Sequence, residues 1–331
     1  MLYITTRIKF DAFTPIHTQE KDRGPEGGLY LPYRMPKWTA EEIAAWKDMT
    51  VGQTIASVLN RFFRKKLTSW DVEFCIGRYP IKMVNMGQKI MIAQCWRSLD
   101  GSYAKMEQGL ASLLMNTPAE TVAVTSWVRI AVRIAMLAAI YGELQRQGLA
   151  EALDISAPDG DFTQIIALCY AKRMGFPVGK IICSCHTNRN VWDLLKSGQL
   201  RTAPGVLAEL ERYIFDRLGK VETQRYVSCV EEGKMYIIDP AQQQQLQDGI
   251  FCSVVSQERM LAAIPNVYTT HSYVLEPDSA VAYSGILDYR AQFGESRTAL
   301  VMEDRSPLAS ADAVSQALNI STFQLTALLR K

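Results

Sequence analysis

Three stretches of this 331-residue chain hold side chains that can do chemistry. The first is Cys183-Ser184-Cys185-His186. Thiolates and imidazole are metal ligands, and Cys-x-Cys within a strand turns both thiols to one face. No second ligand pair follows, so the spacing favours reduced cysteines packed in a core. The second is the loop Pro158-Asp159-Gly160-Asp161, which leads into a helix predicted over 162–174. Free N–H groups at a helix start attract anions. Asp161, however, is also an ordinary N-cap, and it puts a carboxylate where an anion would sit. The third is Lys105, behind an Asp100-Gly101 turn and at the head of a helix predicted from about Tyr103 to Met115. On composition alone it reads as a surface lysine that pairs with nearby carboxylates. His17, His186 and His271 lie in unrelated contexts and support no Ser/His/Asp arrangement.

The elements that must position these groups alternate between strand and helix. Strand-like runs occur at 2–6, 29–32, 89–97, 153–157, 181–185 and 299–302. Thr39 with Glu42 makes a capping box, and Ile55, Val58, Leu59 and Phe62 repeat at helical spacing over 51–65. Further helices are predicted over 127–147, 190–197, 204–218 and 311–318, with Gln242–Gln245 on a solvated one. This order predicts an α/β fold with a mainly parallel sheet. The hydrophobic content of 48% is enough for a real core. A net charge of +2, from 36 basic and 34 acidic residues, announces no face for nucleic acid or an anionic membrane. No run approaches the ~18 apolar residues of a membrane span. Met1–Arg7 lacks a signal-peptide stretch. Seven cysteines form no disulfide framework. A cytoplasmic location is expected.

Several ordered stretches resemble the threonine synthase family, fold type II enzymes that use pyridoxal phosphate. Tyr3-x-Thr-Thr-Arg7, Gly27-Gly28-Leu29-Tyr30-Leu31-Pro32 and Glu41-Glu42-Ile43 resemble its N-terminal segment. Trp127-Val-Arg129-Ile130 with Ile134 and Tyr141 resembles its central helix. Pro158-x-Gly160-x-Phe162 followed by Tyr170–Lys180, then Asn188 and Lys196-Ser197-Gly198, is the best match. Glu209-Arg212-Phe215-Leu218-Gly219 and Glu276-Pro277-x-Ser279-Ala280-Val281 complete it. The resemblance implies a tryptophan synthase β-like core over 89–331, behind a threonine synthase-like N-terminal segment over 1–88. It also implies a large deletion. The family's small-domain block after the lysine motif has no counterpart between Lys105 and Asp161.

The resemblance assigns roles residue by residue. Lys105 takes the place of the Schiff-base lysine, the one residue kept from a His-Gly-Pro-Thr-x-Ala-Phe-Lys-Asp motif. Gly160, Asp161, Phe162 and Thr163 take the place of the phosphate loop, and Asn188 that of a residue near the active site. Asp161 replaces a neutral asparagine, and two like charges ~4 Å apart repel by about 4 kcal/mol at an effective dielectric of 20. Glu303 falls where a hydroxyl meets the pyridine nitrogen, although a strand-end acid in solvent is the plainer reading. With the lid missing, a second copy or another protein must cover the cleft. The expectation is a threonine synthase-like protein with a degenerate site, a non-catalytic pseudoenzyme that binds a ligand or partner. The alternative is a pyridoxal phosphate-dependent lyase or transferase of amino-acid metabolism, with Lys105 as its Schiff-base lysine. Threonine synthesis itself is not expected.

Overall fold

A computed structural model describes residues 1–7, 12–63, 65–77, 81–97, 102–116, 118, 121–123, 125–160, 162–186, 189–203, 208–295 and 297–330. The N-terminal part is a small hairpin of β1 (Tyr3–Thr5) and β2 (Tyr30–Pro32), with α1 (Pro15–Glu20) between them. Three helices follow: α2 (Ala40–Ala44), α3 (Val51–Phe62) and α4 (Ser69–Ile76). Each opens on a threonine, Thr39, Thr50 or Thr68, that accepts the N–H three residues on and receives a side chain in return. Ile55, Val58, Leu59 and Phe62 are fully buried, as their spacing predicts.

The rest of the chain winds around one sheet. Its elements are β3 (Lys82–Asn85), β4 (Ile90–Gln94), α5 (Tyr103–Met115), α6 (Trp127–Arg146), β5 (Leu153–Pro158), α7 (Thr163–Arg173), β6 (Val178–Cys185) and α8 (Asn190–Ser197). Then come β7 (Gln199–Arg201), α9 (Ala208–Glu232), β8 (Met235–Ile237), α10 (Pro240–Gln247), β9 (Ile250–Val254) and α11 (Gln257–His271). The chain finishes with α12 (Pro277–Phe293), β10 (Ala299–Glu303), α13 (Ala311–Leu318) and α14 (Thr322–Leu329). The sheet order is β3-β4-β10-β5-β6-β9, parallel throughout except that β3 runs antiparallel to β4. β3 precedes residue 89, so the N-terminal segment contributes a strand to the core sheet. Between α5 and β5 only α6 intervenes among the described residues.

The two sheet faces carry different layers. Leu300, Met302, Ile155, Ala157, Cys183 and Cys185 join one core with α3, α5, α6 and α7. Ala299, Val301 and Ile182 join another with α11 and α12. α6 is apolar nearly all round, as a helix enclosed by its neighbours must be. The helix predicted over 204–218 ends at Gly219, which is non-helical at φ +80°, and a second helical stretch of α9 follows directly to Glu232. That glycine is a stop: its positive φ breaks the helix, and Thr223 Oγ1 donates to the Gly219 carbonyl as the second stretch begins. Among the described residues no helix is long and apolar enough to cross a membrane.

Candidate active site

The parallel strands β4, β10, β5, β6 and β9 all end at one edge, where open α/β sheets bind their ligands. Lys105, Glu303 and the Gly160–Thr163 loop follow or end adjacent strands β4, β10 and β5, so the topology brings the three segments to that edge. Their side chains differ in direction. Cys95 N–H donates to the Glu303 carbonyl (2.9 Å) and Tyr103 N–H to the Asp304 carbonyl (3.1 Å), which stitches the start of α5 to the end of β10. Lys105 is the third residue of α5 and exposed.

The inner face of the same helix turns Tyr103, Met106, Glu107 and Leu110 into the core. Glu107, fully buried, accepts from Arg129 at 2.6 Å and pairs with Arg133 at 3.1 Å. Arg133 reaches on to Asp304 at 2.9 Å and lies over the Tyr103 ring, 4.5 Å from its centroid. Two guanidinium groups thus compensate one buried carboxylate, and that network occupies the space under α5.

After β5 the chain turns through Asp159, Gly160 (φ +34°) and Phe162 (φ +66°) before α7 begins. The N-cap position falls on Phe162, whose ring is buried edge-on against Tyr213 at 5.6 Å. Thr163 is buried at the first helical position. Asp161 and Asn188 lie outside the described residues. Asp159 is 4% exposed; its Oδ1 accepts from Gly160 N–H at 3.1 Å, while Oδ2 is buried with no hydrogen-bond partner. Burial first, then the neighbouring Cys185 thiol, push its carboxyl up to about 8.

Glu303 is fully buried, which corrects the reading of it as a solvated strand-end acid. The side chain turns to the α11–α12 face, where its Oε2 accepts from Trp96 Nε1 (2.8 Å) and Tyr273 Oη (2.6 Å). Its Oε1 faces Glu276 N–H at 3.5 Å. Tyr273 also accepts from Gln94 Nε2 at 2.8 Å. Burial raises the Glu303 pKa, and the two side-chain donors pull against it. A cavity of about 290 Å³ opens beside this network, lined in part by Gln94, Trp96, Arg97 and Tyr273.

One group at this edge escaped the sequence. Cys183 and Cys185 share a face of β6, as their spacing predicts, and Cys252 stands in register opposite Cys183 on β9. The three sulfurs lie within 4.8 Å of one another and are buried. His186 takes no part: its ring nitrogens meet the Val255 carbonyl at 2.7 Å and Gln257 Oε1 at 2.9 Å. Cys252 is 69 residues beyond Cys183, and only the parallel pairing of β6 with β9 joins them. One signal available was the shared pattern of a large apolar residue followed by Cys-Ser, at Phe251-Cys252-Ser253 and at Ile182-Cys183-Ser184.

Known proteins share parts of this sequence and the whole of this fold. Residues 2–79 match the family Threonine synthase N terminus. Threonine synthase-like 1 of Homo sapiens is 29% identical over 176 residues, 47% of this chain and 24% of that protein. The chain therefore aligns with about a quarter of the length of that curated relative. Threonine synthase of Schizosaccharomyces pombe is 21% identical over 190 residues, 47% of this chain and 37% of that protein. Pyridoxal phosphate-bound threonine synthase of Brucella melitensis superimposes with a TM-score of 0.81 at 16% identity, covering 97% of this chain and 92% of that one. Threonine synthase from yeast gives 0.80 at 13% identity, covering 96% and 90%. Residues 2–79 thus resemble the N-terminal segment of threonine synthases, and the mostly parallel α/β core has the threonine synthase fold.

Proposed function

We propose that this chain is a non-catalytic member of the threonine synthase-like family, a pseudoenzyme that keeps the fold for binding. The carrying observation is Glu303. It stands where the resemblance puts the partner of a pyridine nitrogen, yet it is buried toward α11 and α12 and its Oε2 is taken by Trp96 and Tyr273. Lys105 is an exposed residue at the start of α5, a helix layered on the other face of the sheet. A cofactor held by both would have to reach from the start of α5 to a carboxylate that is already taken by Trp96 and Tyr273. The residues described at this edge therefore do not fit pyridoxal phosphate in the manner of its fold, and no step is derived through that group. The Asp159 carboxyl, whose pKa is pushed up by burial at the loop, adds a group that no phosphate needs.

A binding role also fits the surface. Trp70 and Phe74 on α4 are 64% and 74% exposed and stack on each other at 5.9 Å. Exposed aromatic pairs of this kind mark protein contacts, and α4 packs beside the Lys105-bearing α5. A second copy of the chain or a protein partner is the occupant we assign to this face. The seven cysteines are free thiols, which supports a reducing, cytoplasmic setting.

The test is chemical trapping. The protein is mixed with pyridoxal phosphate, reduced with borohydride, and digested for mass spectrometry. The proposal expects weak, scattered labelling of exposed lysines that is unaffected by Lys105→Ala. Stoichiometric labelling of Lys105 alone would refute it and support the lyase reading.

A further inference from the structure

We propose that Cys183, Cys185 and Cys252, with Asp159 as fourth ligand, form a binding site for a thiophilic divalent cation of the zinc class. The argument begins with the sheet. Side chains two apart on β6 share a face, and register places Cys252 directly beside Cys183. All three sulfurs consequently gather toward the carboxyl edge, within 4.8 Å of one another and buried. A tetrahedral ion with metal–sulfur bonds of about 2.3 Å holds its ligands ~3.8 Å apart, so side-chain rotations that close the triangle by at most about an ångström suffice.

A fourth ligand stands next to Cys185, just outside the group of sulfurs. Asp159 is 4% exposed and adjoins the Cys185 thiol. Its Oδ2 is a buried oxygen with no hydrogen-bond partner. A carboxyl group buried against a thiol is costly in a plain core, and an ion shared with the cysteines would give it a partner. Three sulfurs and one oxygen suit zinc, which accepts both donor types, better than a cation that wants oxygen alone. The site is closed, with Cys252 the most accessible of the three cysteines at 7% exposure. Its role would be structural: it would tie the loop after β5 to the ends of β6 and β9. Binding would expel the protons of the thiols and of Asp159, and Lys196 near Cys252 and the N-terminus of α7 would offset the excess negative charge.

The experiment uses the full chain, expressed with added zinc or with cobalt in its place. Purified protein is assayed for bound metal by elemental mass spectrometry, and the cobalt form for thiolate-to-metal charge-transfer and tetrahedral d–d absorption. One equivalent per chain with a cobalt–thiolate spectrum is expected. Cys252→Ser and Cys183→Ser should lose it, and Cys169→Ser, at a buried cysteine outside the cluster, should keep it. Asp159→Asn preserves shape and should weaken cobalt affinity roughly tenfold or more, which keeps the test decisive if a cysteine variant misfolds. The proposal is overturned by protein that takes up no metal during expression or refolding, by metal that survives Cys252→Ser, or by a disulfide among the three cysteines.

Discussion

Glu276 offers a sharp test of how burial competes with favourable charge in this fold. It caps α12, accepting from Asp278 N–H at 2.8 Å and Ser279 N–H at 3.4 Å, and it pairs with Arg305 at 2.9 Å. The helix start and the arginine both favour the anion. Yet the residue is only 1% exposed, and burial, with Asp278 adding repulsion, raises its pKa to about 7. The raised value means that the folded state holds the proton more tightly than the unfolded chain. The stabilisation is complete below the ordinary carboxyl value of 4.5 and is lost as pH climbs through about 7. A tenfold difference in proton affinity between the folded and unfolded states corresponds to about 1.4 kcal/mol, so ionising Glu276 costs the native state about 3 kcal/mol between those limits. Glu276→Gln removes the titrating group and with it this pH dependence. Urea unfolding of both proteins at a series of pH values should show the stability of the parent, relative to the variant, falling by about 3 kcal/mol from pH ~4.5 to ~7 and level above. A parent that gains on the variant as pH rises would mean that Arg305 and the helix start dominate, and would refute the reasoning.

Other perturbations read the same balances elsewhere. Glu107→Ala strands Arg129 and Arg133 under α5 and should cost about 3–5 kcal/mol in chemical denaturation, with Glu107→Gln recovering part of it. At Gly285 a methyl group would meet Ser184 Oγ at 1.9 Å, so Gly285→Ala should destabilise by about 1–3 kcal/mol in thermal melts. Gly109→Ala on α5 meets nothing nearer than Cys75 Cβ at 3.9 Å and should instead stabilise by up to about 1 kcal/mol. Replacing Trp70 and Phe74 together by serine should leave the melting temperature unchanged while weakening self-association or partner capture, as read by light scattering.

Local rules carried the sequence reading a long way. The Thr39–Glu42 box, the buried stripe of α3 and the strands β4, β6 and β10 all depend on neighbours within a few residues, and each forms as expected. What failed was long-range or conformational. β9 shows no alternation, and the Asp248-Gly249 turn before it was not read as a strand boundary, so the strand that brings Cys252 to β6 went unread. The second helical stretch of α9 beyond the break at Gly219 was also not read. Glu303 looked solvent-facing because a strand-end acid normally is. Its burial depends on Trp96 and Tyr273, which lie 207 and 30 residues away in the chain. For the candidate site, sequence brought Lys105, the 160–163 loop and Glu303 to one sheet edge but gave no direction for their side chains. Those directions follow from face parity and tertiary packing.

The central claim is that this edge does not operate as a pyridoxal phosphate site. The most direct measurement is the near-visible absorbance of the full-length protein as purified, and again during titration with pyridoxal phosphate. The account predicts a colourless protein and a titration that adds only the spectrum of free cofactor, identical for the parent and for Lys105→Ala. A yellow protein, or a saturable new band that disappears on Lys105→Ala, would contradict it.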